Sequence, residues 1–133
     1  MVVVKGRLKR TIGIVAVIVL LVLAGGTAYL VRGLNPMMEL EIHDVDVRNL
    51  PDGTYSGEFQ GYRWANRVEV TVENAMIQDI AVIEPHPFHR QELIDTLTER
   101  IVERQTLQVE TVTGATVSSK AFLKAVENAL VPD

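Results

Sequence analysis

Between Thr113 and Ser119 the chain reads TGATVSS. The hydroxyls of Thr113, Thr116, Ser118 and Ser119 gather around Gly114 and Ala115, just ahead of an apolar periodic segment. A glycine permits tight backbone geometry and close approach by a ligand. The first turn of a helix carries N–H groups without partners and the positive end of the helix dipole, and both favour a phosphate. Threonine hydroxyls add donors. The chemistry within reach is therefore phosphate binding at a helix start. An ordinary Ser/Thr-rich helix cap has the same composition, so these residues alone leave both readings open.

Other side chains offer less. His86 and His89 lie three apart, but Pro85 and Pro87 interrupt any helical pairing, and a plain loop is the default. His43 stands beside Asp44 and Asp46 as part of a solvated edge. With no cysteine, disulfides, thiolate metal sites and thiol catalysis are excluded. No nucleophile–base–orienter set emerges, and no G-x-G-x-x-G follows a strand. Tyr62 and Trp64 are the aromatic residues suited to stacking on a flat ligand ring, with core or rim packing as the alternative.

The elements that must position TGATVSS follow from periodicity. Leu50-Pro51-Asp52-Gly53 signals a turn, and Thr54 to Tyr62 reads as a glycine-rich strand, bulged or closely approached by another group. Val68, Val70 and Val72 alternate with Arg67, Glu69, Thr71 and Glu73, the clearest strand in the chain. Asn74-Ala75 is a hairpin turn, and Met76 to Ile83 returns as the partner strand. Arg90 to Arg104 carries Leu93, Ile94, Leu97, Ile101 and Val102 at helical spacing. Ser118 or Ser119 caps a last helix whose apolar face includes Phe122, Leu123, Val126, Ala129 and Leu130. The order predicts an α+β domain: a small antiparallel sheet packed with two helices.

The N-terminal third differs in kind. Thr11 to Val31 is uncharged and long enough to cross a hydrocarbon core of ~30 Å as a helix. Lys5, Arg7, Lys9 and Arg10 precede it, and all 17 acidic residues lie from Glu39 onward. The positive-inside bias then predicts a cytoplasmic basic tail over 1–10, one transmembrane helix over 11–31, a linker and lead-in over 32–50, and an extracytoplasmic domain over 51–133, single-pass in the cell membrane. A cleaved signal peptide is the competing reading; the apolar run is longer than a usual h-region and lacks a clean A-x-A site. Glu39 to Asn49 alternates as an edge strand or an extended lead-in. The acidic domain offers no basic face, which argues against nucleic acid.

Glu110-Thr111-Val112-Thr113-Gly114-Ala115-Thr116, followed by Val117-Ser118-Ser119 and an Ala-rich helix, resembles the FMN-binding domain family. That family includes the FMN-carrying subunits of Rnf and sodium-pumping NADH:quinone reductase complexes. DGTYSGEFQGY and VEVTVENAMIQDIAVIE resemble its opening strand and hairpin, so the likeness runs from about Asp52 to Leu130. It implies an FMN whose phosphate is esterified to Thr116 by a separate flavin transferase using FAD outside the cytoplasm. Thr113, Gly114 and Ala115 would shape the turn, Val117, Ser118 and Ser119 would serve the phosphate or the helix start, and Tyr62 would meet the ring. Glu110 stands where the family commonly has Asp, and Asn74-Ala75 where it commonly has Gly. The resemblance implies a membrane-anchored carrier that relays electrons between membrane redox partners or a quinone-linked reductase, more an electron-transfer component than a stand-alone enzyme. The alternatives are a cofactor-free binding module of the same fold and a non-covalent FMN-dependent reductase.

Overall fold

A computed structural model describes residues 2–62, 64–84 and 90–131. The chain divides into two compact units, Met1–Arg32 and Gly33–Asp133. The first is a single helix, α1 (Val2–Val31), long and apolar enough by length and composition to cross a membrane, with a mean hydropathy of 2.7 over its most apolar window. The hydroxyls of Thr11 and Thr27 donate to the carbonyls of Arg7 and Leu23, one turn back, so neither needs a partner outside the helix. That is the condition for polar groups in a hydrocarbon solvent.

The second unit is the α+β domain that the periodicity predicts. Its elements are α2 (Leu34–Met38), a 3-10 turn at Val47–Asn49, β1 (Gly53–Gly61), β2 (Trp64–Glu73), β3 (Met76–Glu84), α3 (Gln91–Arg104) and α4 (Thr116–Leu130). The three strands form an antiparallel meander in the order β1-β2-β3. On β2, Trp64, Asn66, Val68, Val70 and Val72 are buried, and the residues between them are more open. Period-two alternation puts one face of the sheet on a core and leaves the other wet. α4 packs across β1 and β2, and α3 lies against β3. Phe122, Leu123, Val126 and Leu130 from α4 and Leu93, Leu97 and Ile101 from α3 complete the core.

Close approach fixes how α4 crosses the sheet. A Cβ on Gly57 would fall 2.2 Å from the Ala129 nitrogen and 2.5 Å from the Ala125 carbonyl oxygen. Only glycine in the strand, facing alanines on the helix, allows that contact. The β2–β3 turn is Asn74-Ala75, with φ of 54° and 61°. Both central residues are left-handed, as a two-residue hairpin loop of the primed kind requires.

α3 ends on Gln105, itself left-handed at φ 53°. The Gln105 side-chain amide then acts like a neighbouring strand: its Oε1 accepts from Ile77 N at 2.7 Å, and its Nε2 donates to Ile77 O at 2.8 Å. This ties the helix end to β3. The segment before the sheet, 39–49, forms no paired strand. It runs unpaired and is held by side chains: Asp44 accepts from Thr106 Oγ1 and Leu107 N, and Glu127 accepts from His43 N. Residues 33–38, read from sequence as part of a linker, form α2 and pack on α4. The histidine pair His86 and His89, in the proline segment, and Arg63 lie outside the described residues.

Candidate functional site

The start of α4 carries the TGAT segment. Gly114 has φ 78°, a conformation that costs glycine little and other residues more. A Cβ there would meet nothing within 4 Å, so the outer side of the turn is open. Ala115 N donates to Val112 O at 2.9 Å and closes the turn. α4 begins at Thr116, three residues earlier than a cap at Ser118 would have it, and Ala115 is the N-cap with no side-chain cap bond. The first-turn N–H groups of Thr116, Val117 and Ser118 therefore keep the orphan character that helix geometry gives them.

Ser119 differs from the sequence expectation. It is fully buried, and its hydroxyl is used inside the fold. Oγ donates to Ala115 O at 2.7 Å and accepts from Val112 N at 3.1 Å. Ser119 neither caps the helix nor faces a phosphate. It pins the two ends of the TGAT turn from beneath.

A cleft of about 380 Å³ opens over this turn. Gly114, Ala115, Thr116, Val117 and Ser118 line one part of it, and Trp64, Leu34 and Met38 line another. Its size falls in the range of small-molecule sites, roughly 300–1,000 Å³. The sequence-derived residues divide accordingly. Five of them line the cleft. Thr113 is exposed beside it. Glu110 is exposed, and its carbonyl accepts from the Arg100 guanidinium at 2.6 Å. Tyr62, also exposed, covers Gly33 instead: a Cβ on Gly33 would fall 2.3 Å from the Tyr62 ring. Trp64, only 4 % exposed, is the aromatic side chain in the wall. Leu34 and Met38 are additions that sequence reasoning did not supply, since apolar residues in a short proline-containing segment carry no mark that separates a site wall from a spacer.

Among the described lining residues none is charged. Lys120, one turn beyond Thr116, donates its ammonium to the Met38 carbonyl. A phosphate over the turn would thus meet a helix N-terminus and hydroxyls, and a planar ring would meet the indole and aliphatic side chains. The lining combines hydroxyls at a helix start with apolar side chains, which suits a ligand with an anionic and an aromatic part.

This three-stranded sheet with a helix starting at a hydroxyl-rich glycine turn defines a flavin-binding module. The chain belongs to the FMN-binding domain family, whose model matches residues 61–131. Its cofactor is FMN, and its fold class is the α+β arrangement described above. The chain is also similar to a urocanate reductase from Eggerthella lenta, 62% identical over 37 residues, which are 28% of this chain and 6% of the reductase. The match thus spans a small fraction of that relative's length.

Proposed function

We propose that this chain is a membrane-anchored electron carrier, with FMN joined to Thr116 by a phosphoester and the α+β domain outside the cytoplasm. The observation that carries the reading is the cleft over the α4 start, where Thr116 is presented in a wall with no charged residue among those described. A free phosphate monoester carries about −1.5 to −2 at neutral pH, whereas a helix N-terminus supplies only about +0.5. A diester to threonine carries a single charge, which an uncapped helix start and hydroxyls can balance. The charge balance therefore favours an attached flavin over a tightly held free one.

Thr116 is half-buried, and its hydroxyl makes no hydrogen bond among the described residues. It is the acceptor in attachment: Thr116 Oγ1 forms a bond to the FMN-side phosphorus of FAD, loses its proton, and AMP leaves as the P–O–P bond breaks. A separate flavin transferase performs this step. Gly114 leaves the approach open, and Ser119 holds the turn in shape. FMN, when bound, supplies one- and two-electron chemistry, while the chain's residues bind and orient it. α1 keeps the domain at the membrane beside a membrane redox partner or a quinone-linked reductase. The acidic, cysteine-free domain suits an extracytoplasmic setting, and the basic residues ahead of α1 favour a cytoplasmic N-terminus.

The experiment is intact mass and flavin fluorescence, after denaturation, of the full chain co-expressed with a flavin transferase. The expected result is one added FMN, absent from Thr116→Ala, with the variant still folded by circular dichroism. Flavin retained covalently in Thr116→Ala would refute the attachment site. Colourless wild-type protein would point to a cofactor-free module.

A further inference from the structure

α2 lies outside the segment matched to the family, yet it forms part of the cleft. Five residues including Pro36 cannot hold a helix on their own. Three contacts hold this one. Tyr62 packs its ring on Gly33, whose φ of 84° sets the entry to the helix. Met37, 3 % exposed, sits against Gly61, where a Cβ would come within 2.8 Å of its sulfur. Lys120 reaches from α4 to the Met38 carbonyl at the far end. Met37 thus belongs to a small second core with Trp64, Val117 and Ala121, directly under the cleft.

That clamping leaves Met38 half-exposed and Leu34 partly buried, both in the wall with Trp64. Met38 is thus a half-exposed apolar side chain at a fixed position, sharing one wall with a buried indole. Isoalloxazine has broad, poorly hydrated faces, and methionine adapts well to aromatic surfaces. With the phosphate at Thr116, the ring meets the apolar part of the same lining. We infer that α2 is the second wall of the flavin site, with Leu34 and Met38 lying against the isoalloxazine together with Trp64. The segment that follows the apolar helix directly in sequence is then part of cofactor binding and sets how freely the ring moves. This rests on the proposed FMN placement over the α4 start.

The test uses the full chain in detergent, carrying attached flavin or titrated with free FMN. Trp64 is the one tryptophan in the sequence, so its fluorescence reports the ring directly. In the wild type, flavin should quench Trp64, and native flavin anisotropy should be high. In Leu34→Ser/Met38→Ser the added FMN mass should persist while anisotropy falls and Trp64 emission recovers, and free FMN should bind on the order of tenfold more weakly. Met38→Leu should behave as wild type. Met38→Ser alone changes only a half-exposed side chain and covers the case in which the double variant fails to fold. Unchanged anisotropy and quenching in both serine variants, with FMN mass present, would overturn the α2 wall and leave attachment at Thr116 standing. Flavin sensitive to α2 but retained in Thr116→Ala would do the reverse. FMN neither attached to nor bound by the wild type would overturn both.

Discussion

The hydroxyl of Ser119 is buried and bonded twice, once to each end of the turn that presents Thr116. Ser119→Ala leaves the half-buried Val112 N–H without its acceptor, and an unsatisfied group of this kind costs about 1–3 kcal/mol. A urea midpoint shift of that size is expected, along with slower flavin attachment; Thr116→Ser, which keeps a hydroxyl, should unfold at nearly the wild-type midpoint. Asp46 gives a pH signature far from the site. The Arg48 side chain, and then the Arg48 backbone N–H, hold its carboxyl below the usual 3.8. A depressed folded value means the contact is intact above the unfolded-state value and is lost as pH falls through the lower folded one. The 3-10 turn at Val47–Asn49 should therefore loosen only in strong acid. Carboxyl-carbon NMR should place the Asp46 midpoint below 3.8 in the wild type and move it upward in Arg48→Ala, which keeps only the backbone N–H donor.

Two elements carry backbone geometry that a single substitution can probe. Ala75 sits at φ 61° in the β2–β3 turn, where a Cβ is strained. Ala75→Gly should raise stability by up to about 1 kcal/mol, the strain relief exceeding the entropy that glycine adds to the unfolded chain. Gly57→Ala should lower it by about 1–3 kcal/mol or more, because the new methyl meets backbone atoms of α4 that cannot move aside. Denaturant titration of each variant reads both signs. β2, its hairpin and the apolar stripes of α3 and α4 were legible in the sequence because each is periodic and half-buried. α2 was not, because tertiary contacts to Tyr62, Gly61 and Lys120 make its five residues helical against their own propensity. The start of α4 was displaced for a related reason. Serine at Ser118 and Ser119 matches a cap by type, but the turn at Gly114 sets the cap at Ala115, three residues before Ser118, and Ser119 goes inward. At the cleft, TGATVSS was visible by composition and Trp64 as one of two stacking candidates, while Leu34 and Met38 were not, since apolar side chains read alike in a core and in a ligand bed.

At the scale of the whole chain, the proposed topology has a direct assay. The sequence contains no cysteine, so Asp79→Cys on the exposed part of β3 creates a single thiol. On intact cells, a membrane-impermeant maleimide should label it, while a thiol at Lys5→Cys should stay unlabelled until the membrane is opened; the opposite pattern would reverse the orientation. The hydrogen bonds that Ser119 makes beneath the TGAT turn carry a further consequence for a chain of this kind. Both are local, spanning four and seven positions, but Ser119 is buried only in the packed domain, so the bonds beneath Thr116 are shielded from water only once α4 has packed. On the covalent reading, the enzyme that loads the flavin meets its acceptor motif in shape only on chains that have already folded. Cofactor attachment then doubles as inspection: misfolded copies stay colourless, and colour at the cell surface counts the sound ones.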